Sequence, residues 1–216
     1  MENKIISVVL GYRRPGNVKA VIEAIKSQTI KSTIIFFDNG DCGNVDADIV
    51  IKSSFNFNCL PRFFIPCWLP CEYVWQNDDD HFIGNNNFFE RMLAESADYP
   101  EYALCYNGRV LAQEKAYQAG SEVTEPIKCQ VCNFGFSFYP QSLMQNIPAL
   151  QYDGKVSFEE MKYSDDVWMS YHMPCRVSKN IRGSLVKLSE GDEAITLSKS
   201  SNHMNARNTV AKRLFQ

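Results

Sequence analysis

Three adjacent carboxylates, Asp78, Asp79 and Asp80, stand in the run Val74-Trp-Gln-Asn-Asp-Asp-Asp-His-Phe-Ile83, with apolar residues on both sides. Neighbouring carboxylates repel one another unless something positive sits among them. Two readings are open: a solvated acidic turn, or a hard divalent cation. Asp78 and Asp80 form a DxD, and residues two apart on an extended segment point to the same side, so both can face one ligand. Carboxylate oxygens suit Mg2+ or Mn2+, and such an ion also takes phosphate oxygens.

The elements around the triplet favour the cation. Ile5-Ile-Ser-Val-Val-Leu10 and Thr33-Ile-Ile-Phe-Phe37 read as buried strands. Between them Pro15-Gly-Asn17 opens an amphipathic helix over 17–28, with Val18, Val21, Ile22 and Ile25 on one face. Strand, helix, strand at this length predicts a βαβ unit with parallel strands. Asp48–Ile51 and Glu72–Gln76 read as further strands, Pro61 as the start of a short helix, and 85–97 as a helix. Beyond Tyr102 the pattern is irregular: strands at 103–106, 109–111, 127–139 and 183–188, a helix over 164–173, a polar mobile loop over 189–202, and a basic helix over 205–215. Open α/β sheets bind ligands at the carboxyl ends of their strands. Gly11-Tyr-Arg-Arg14, Asp38-Asn-Gly40 and Asp78-Asp-Asp80 all fall at such ends and should converge. Asp38 before Asn-Gly also reads as a plain turn former.

Composition narrows the function classes. The 216 residues carry 22 Lys plus Arg against 25 Asp plus Glu, a net charge of -3, without the basic excess of a nucleic-acid binder. No run approaches the ~20 apolar residues of a membrane span. The apolar stretch 5–10 is too short for a signal peptide, so the expectation is a soluble protein made in the cytosol. The eight cysteines read mainly as small buried hydrophobes. Cys129-Gln-Val-Cys132 and the Cys67, Cys71 pair raise zinc only weakly, because a strand over 127–139 would point Cys129 and Cys132 to opposite faces.

The segment Ile6-Ser-Val-Val-Leu-Gly-Tyr-Arg-Arg-Pro-Gly-Asn17 through Gln28-Thr29, with Ile34-Ile-Phe-Phe-Asp-Asn-Gly40, the DxD strand and Ser164-Asp-Asp-Val-Trp-Met-Ser170, resembles family 2 nucleotide-sugar glycosyltransferases in order and spacing. The resemblance spans nearly the whole chain. It includes viral members of that family, which would place the protein in a host cytoplasm. It implies an α/β GT-A (Rossmann-like) fold with a mixed central sheet, and a single domain. Its first hundred residues would bind the donor, and the rest would hold the acceptor and the catalytic base. It implies an inverting, metal-dependent transfer from a nucleotide-diphosphate sugar, UDP-sugar by base rate, to a glycan acceptor. Carried over by position, Asp38 holds uracil or ribose, Arg62 lies near the nucleotide, and Tyr12 and Arg14 surround base and phosphate. Asp78 is the nucleotide-side acid, Asp79 faces sugar or structure, and Asp80 ligates Mn2+ or Mg2+ with a late histidine, His203. Asp166 is the base beside Asp165, which stands where the family has Glu and leaves the choice between the two open. Arg13 replaces the usual Asn and has no assigned role.

His81 is expected to point away from Asp80, and His172 to be structural. Phe136 and Phe138 read as core. Trp168 fits either the core or a sugar-stacking platform. Two other classes fit less well. A nucleotidyltransferase would show a Gly-rich phosphate loop after the first strand, which Gly11–Gly16 is not. An inactive sugar-nucleotide-binding module would have no use for the acid pair. The pattern leaves room for further domains of a longer polypeptide.

Overall fold

The computed structural model describes residues 4–112, 117, 120–146, 154–189 and 201–216. The first stretch runs β1 (Ile5–Gly11), α1 (Pro15–Lys26), β2 (Thr33–Asp38), β3 (Ile49–Lys52), α2 (Pro61–Trp68), β4 (Tyr73–Asp78), β5 (His81–Ile83) and α3 (Phe88–Asp98). Short strands follow: β6 (Ala103–Cys105), β7 (Gly108–Val110), β8 (Ser121–Val123), β9 (Lys128–Cys129), β10 (Val131–Cys132) and β11 (Phe136–Pro140). The remainder is α4 (Phe158–His172), β12 (Cys175–Val177), α5 (Lys179–Arg182), β13 (Leu185–Lys187) and α6 (Ser201–Phe215).

Eight strands form one mixed sheet in the order β3-β2-β1-β4-β11-β6-β12-β9. The first four are parallel. β11 enters antiparallel between β4 and β6. Every residue of β1 is buried, which is why it reads as a continuous apolar run rather than an alternating one. The pleat divides that run between two cores. Ile5 and Val9 pack with α1, α3 and α5, while Ile6, Val8 and Leu10 pack with α2, α4 and α6. Helices therefore cover both faces, as expected of the α/β class. Among the described residues no helix is long and apolar enough to cross a membrane.

Two expectations are corrected. The single strand over 127–139 is three short strands in two sheets, broken at Gln130 and again by Asn133, whose side chain accepts from Gly135 N–H in a tight turn. Cys129 pairs with Cys175 in the large sheet and Cys132 with Gly108 in the small one, while Cys67 and Cys71 line a separate cavity beside Pro140 and Gln141. The helix expected at 164 begins at Phe158 instead. Ser157 accepts from Glu160 N–H and Glu160 accepts from Ser157 N–H, a reciprocal capping box. The helix then breaks its φ/ψ at Ser164 (φ -135), so the acid pair opens a second helical segment. The loop expected over 189–202 lies, apart from its ends, outside the described residues.

Candidate active site

The parallel register sets the carboxyl ends of three strands side by side. Gly11 lies opposite Asp38, and Leu10 opposite Asp78. The three strand-end features thus converge. Asp38 is buried, and its carboxylate accepts from the N–H groups of Gly40 and Cys42 in its own turn (3.0 and 3.1 Å). Cys42 N–H also reaches the second oxygen at 3.2 Å, so the turn touches both. Asn39 next to it clasps the following loop, accepting from Phe57 N–H at 2.9 Å and donating to Asn58 O at 2.8 Å.

The three aspartates have three different partners. Asp79 accepts from Tyr12 N–H (2.9 Å) and from the Arg14 guanidinium (2.8 Å), which ties the end of β4 to the end of β1. Arg13 adopts a left-handed conformation (φ 56) between them, with its guanidinium 5.0 Å from the Tyr12 ring centre. Asp78 accepts from Arg62 at 2.6 Å. Asp78 is raised to about 6: burial raises it most, Arg62 opposes the rise, and Asp80, Asp79 and Asp165 add to it. Asp80 meets His81, 3.0 Å from Oδ1 to Nδ1, so His81 does not point away; its ring also packs edge-on against Phe136. Adjacent carboxylates at this bend are thus dispersed among two arginines and a histidine, which is how the chain lowers the repulsion among them.

Arg62 comes from the first turn of α2 and is 2% exposed. Beyond Asp78 it reaches Asp165, Nε to Oδ2, at 3.6 Å. Burial works against its charge, but Asp78, Cys59 and Asp165 outweigh it and the net shift is upward. Asp165 and Asp166 are 3% and 5% exposed. Asp166 accepts from Val167 N–H (2.8 Å) and pairs with Arg207 of α6 (2.8 Å). Arg207 also donates to Tyr163 O (3.1 Å) and to the Tyr117 hydroxyl (2.5 Å). Asp166 is raised to about 6, chiefly by burial, with Arg207 opposing the rise and Asp165 adding to it. A line of charge therefore runs Asp78, Arg62, Asp165, then Asp166 and Arg207, from the end of β4 to α6.

His203, also on α6, is buried, and its Nδ1 has no hydrogen-bond partner among the described residues. Its pKa is lowered to about 4, chiefly by burial and then by Arg207, with Asp165 working the other way, so the ring is neutral at pH 7. Its charged neighbours are thus the acid-pair side of the line. Among the described residues no three His, Cys, Asp or Glu side chains gather into a metal cage. A Mg2+-type site does not need one, because one or two carboxylates plus substrate phosphates suffice. Asp80, with 30% of its side chain exposed, fits that pattern.

Trp168 packs edge-on against Phe63 at 5.4 Å and belongs to the core, as do Phe136 and Phe138. Gly135 bears on the site directly. A Cβ there would run into the Asp78 carboxylate, while Gly135 O accepts from Asp78 N–H at 2.9 Å. Gly135→Ala should force Asp78 off Arg62 and cost about 1–3 kcal/mol of stability. Thermal denaturation reads this directly, and an unchanged melting temperature would mean that Asp78 can step aside freely.

Two depressions flank the line of charge. One, about 180 Å3, is lined by Tyr12, Arg14, Asn56, Asn58 and the aspartates. The other, about 300 Å3, has Asp166 and Arg207 on its wall. A larger cavity, about 580 Å3, sits at Tyr73 and Pro140, the opposite end of β4, away from both acid groups. Arg207 and Tyr117 are the site residues that the sequence reading missed.

A half-parallel mixed sheet with helices on both faces and acidic residues at its central strand ends defines a GT-A-type α/β fold. The same fold is found in S. aureus TarS: TM-score 0.52 at 15% identity, over 81% of this chain and 35% of TarS. The chain thus spans about a third of the TarS structure. No protein-family model matches the sequence, and no curated protein matches it.

Proposed function

We propose that the protein is an inverting glycosyltransferase that moves a sugar from a nucleotide-diphosphate sugar, UDP-sugar favoured, to a hydroxyl of a glycan acceptor. The observation that carries this reading is the line of charge that joins the DxD at the end of β4 to the buried acid pair of α4. It sets a phosphate-side acid group and a candidate base a few side chains apart, with a depression on either side. The fold shared with TarS, a glycosyltransferase, is consistent with it.

In this reading Tyr12, Arg14 and the loop held by Asp38 and Asn39 cradle the nucleotide. Asp79 holds Tyr12 and Arg14 in place. Asp80, with the orphaned Nδ1 of His203 as a second donor, would hold Mn2+ or Mg2+. When bound, the ion supplies Lewis-acid stabilisation of charge on the departing diphosphate. Asp166 accepts the proton of the acceptor hydroxyl as that oxygen attacks the anomeric carbon. Each Asp166 oxygen has one partner, and a carboxylate has about four lone-pair sites, so capacity for that proton remains. Arg207 keeps the carboxylate ionised and aimed.

Thermal shift with UDP, GDP and dTDP, each with and without Mn2+, tests the donor side. At a hundredfold excess over Kd, UDP with Mn2+ should raise the melting temperature by roughly 5–10 °C. Asp80→Ala should remove the Mn2+-dependent part. No shift with any of the three would sink the donor assignment, and a full shift in the presence of EDTA would sink the metal.

A further inference from the structure

We propose that the depression beside Asp166 is the acceptor subsite, and that it is built for one neutral, hydroxyl-rich unit: a single pyranose, furanose or sugar alcohol. This rests on the glycosyltransferase reading. The size argues for one unit, because about 300 Å3 lies at the bottom of the range of small-molecule pockets.

The wall chemistry argues for neutrality and for hydroxyls. Two guanidiniums, Arg109 and Arg207, are matched by two carboxylates, Glu122 and Asp166. The cations are already engaged. Arg207 serves Asp166, Tyr163 O and the Tyr117 hydroxyl, while Arg109 donates to Gly120 O at 3.1 Å. Their guanidinium carbons also lie 4.8 and 5.0 Å from the Tyr117 ring centre, so that ring is taken up as a packing surface for arginine. An anionic unit would have to compete with these partners and would meet Glu122 and Asp166 besides.

What remains open suits hydroxyls, which donate and accept together. Glu122 accepts from Asn107 through Oε1 at 2.8 Å, and its Oε2 has no partner among the described residues. Asn107 thereby holds Glu122 and keeps its own amide oxygen open as an acceptor. Asn133 spends its amide oxygen on Gly135 N–H, leaving its NH2 as a donor. An apolar unit would strip water from these groups and return nothing. Glu122 and Asn107 are thus the residues that read the acceptor, and Asp166, on the same wall, meets the hydroxyl that reacts.

Saturation-transfer NMR on the whole chain, with and without UDP and Mn2+, tests this with methyl glucoside, methyl galactoside, methyl mannoside, ribitol, glucuronate and p-nitrophenol. At least one neutral polyol should bind. Glu122→Gln and Asn107→Ala should each weaken it tenfold or more while the UDP-induced melting shift persists, which also certifies the fold of the variants. Binding of glucuronate alone, of p-nitrophenol alone, or of no probe overturns the proposal, as does undiminished polyol binding in both variants. Polyol binding lost in the variants, in a protein that shows no nucleotide shift, keeps the subsite and removes the donor reading instead.

Discussion

Asp166→Asn should lower sugar transfer by roughly 10²–10⁴-fold, the usual contribution of a positioned general base, and leave the nucleotide-induced melting shift in place. The amide keeps the shape and can still accept from Val167 N–H, but it cannot take a proton from an attacking hydroxyl. Asp165→Asn is the counterpart. Asp165 faces Arg62 rather than the acceptor depression, so its loss should cost stability more than turnover. If Asp165→Asn is the inactive variant and Asp166→Asn the active one, the base is Asp165.

The same assignment predicts an acid limb. With Asp166 lifted to about 6, it is ionised above that pH and protonated below, so the rate should fall about tenfold per unit under pH 6. This limb is not unfolding. Asp78 and Asp166 bind their protons more tightly in the native state than in the unfolded chain, so acidification from about 6 towards ~3.9 favours the fold through these two groups. Glu160, lowered to about 2 chiefly by its hydrogen bonds from Arg213, has the opposite sign and gives up its stabilisation only as pH falls towards that value. A limb that follows loss of structure, or one that persists in the residual activity of Asp166→Asn, would point to another group.

Arg62→Met should be the most destabilising single change at the site. It leaves the Asp78 and Asp165 carboxylates facing a site with no cation between them, and breaking a buried pair from one side costs about 3–5 kcal/mol. For a chain of this length that is a melting temperature lower by roughly 6–20 °C. Arg62→Lys should recover little, because an ammonium lacks the planar fork that reaches both partners. Asp165→Asn introduced together with Arg62→Met should restore part of the loss, since it removes one of the stranded charges. Calorimetry on the two single variants and the double completes the cycle. A melting temperature within about 2 °C of the parent would show that water reaches these carboxylates readily and that Arg62 is no brace.

The parallel part of the fold was legible because its signals are local. The apolar runs of β1, β2 and β4 match strands buried on both faces, and the Pro-Gly-Asn opening and four-residue spacing of α1 are read within one window. The strand-end location of Asp38 and Asp78–Asp80 followed from that topology alone. What escaped is what depends on partners far along the chain. Nothing near Arg207 marks it as the partner of Asp166, because a basic residue in a basic helix reads as surface. The division of labour in the triplet turned on Arg14, Arg62 and His81, and its expected structural option for Asp79 corresponds to the Tyr12 and Arg14 contacts. One miss was avoidable. Ser157 and Glu160 spell a capping box, which would have started α4 at its true first turn. The break of 127–139 was signalled in part by Asn133-Phe-Gly135, where a turn competes with β propensity and wins.

The entry of β11 between β4 and β6 has a consequence for how the molecule assembles. The four parallel strands draw only on chain from Ile5 to Asp78; partners lie 14 residues apart in β2–β3 and 27 in β1–β2, but 68 in β1–β4. The antiparallel pairing of β11 with β4 joins residues 59 to 67 apart, about the same span, so β4 is the strand whose two neighbours both come from far along the chain, and loop entropy must be lost before either pairing returns anything. The β1–α1–β2–β3 part, which carries Tyr12, Arg14 and Asp38, is therefore what the chain can organise from its own neighbourhood. Asp78, whose N–H is held by Gly135 O, takes its final position only when a strand from much later in the chain has docked. In folding terms the acidic end of β4 is completed by a strand from later in the chain, and the same pairing that joins β11 to the sheet finishes the candidate site.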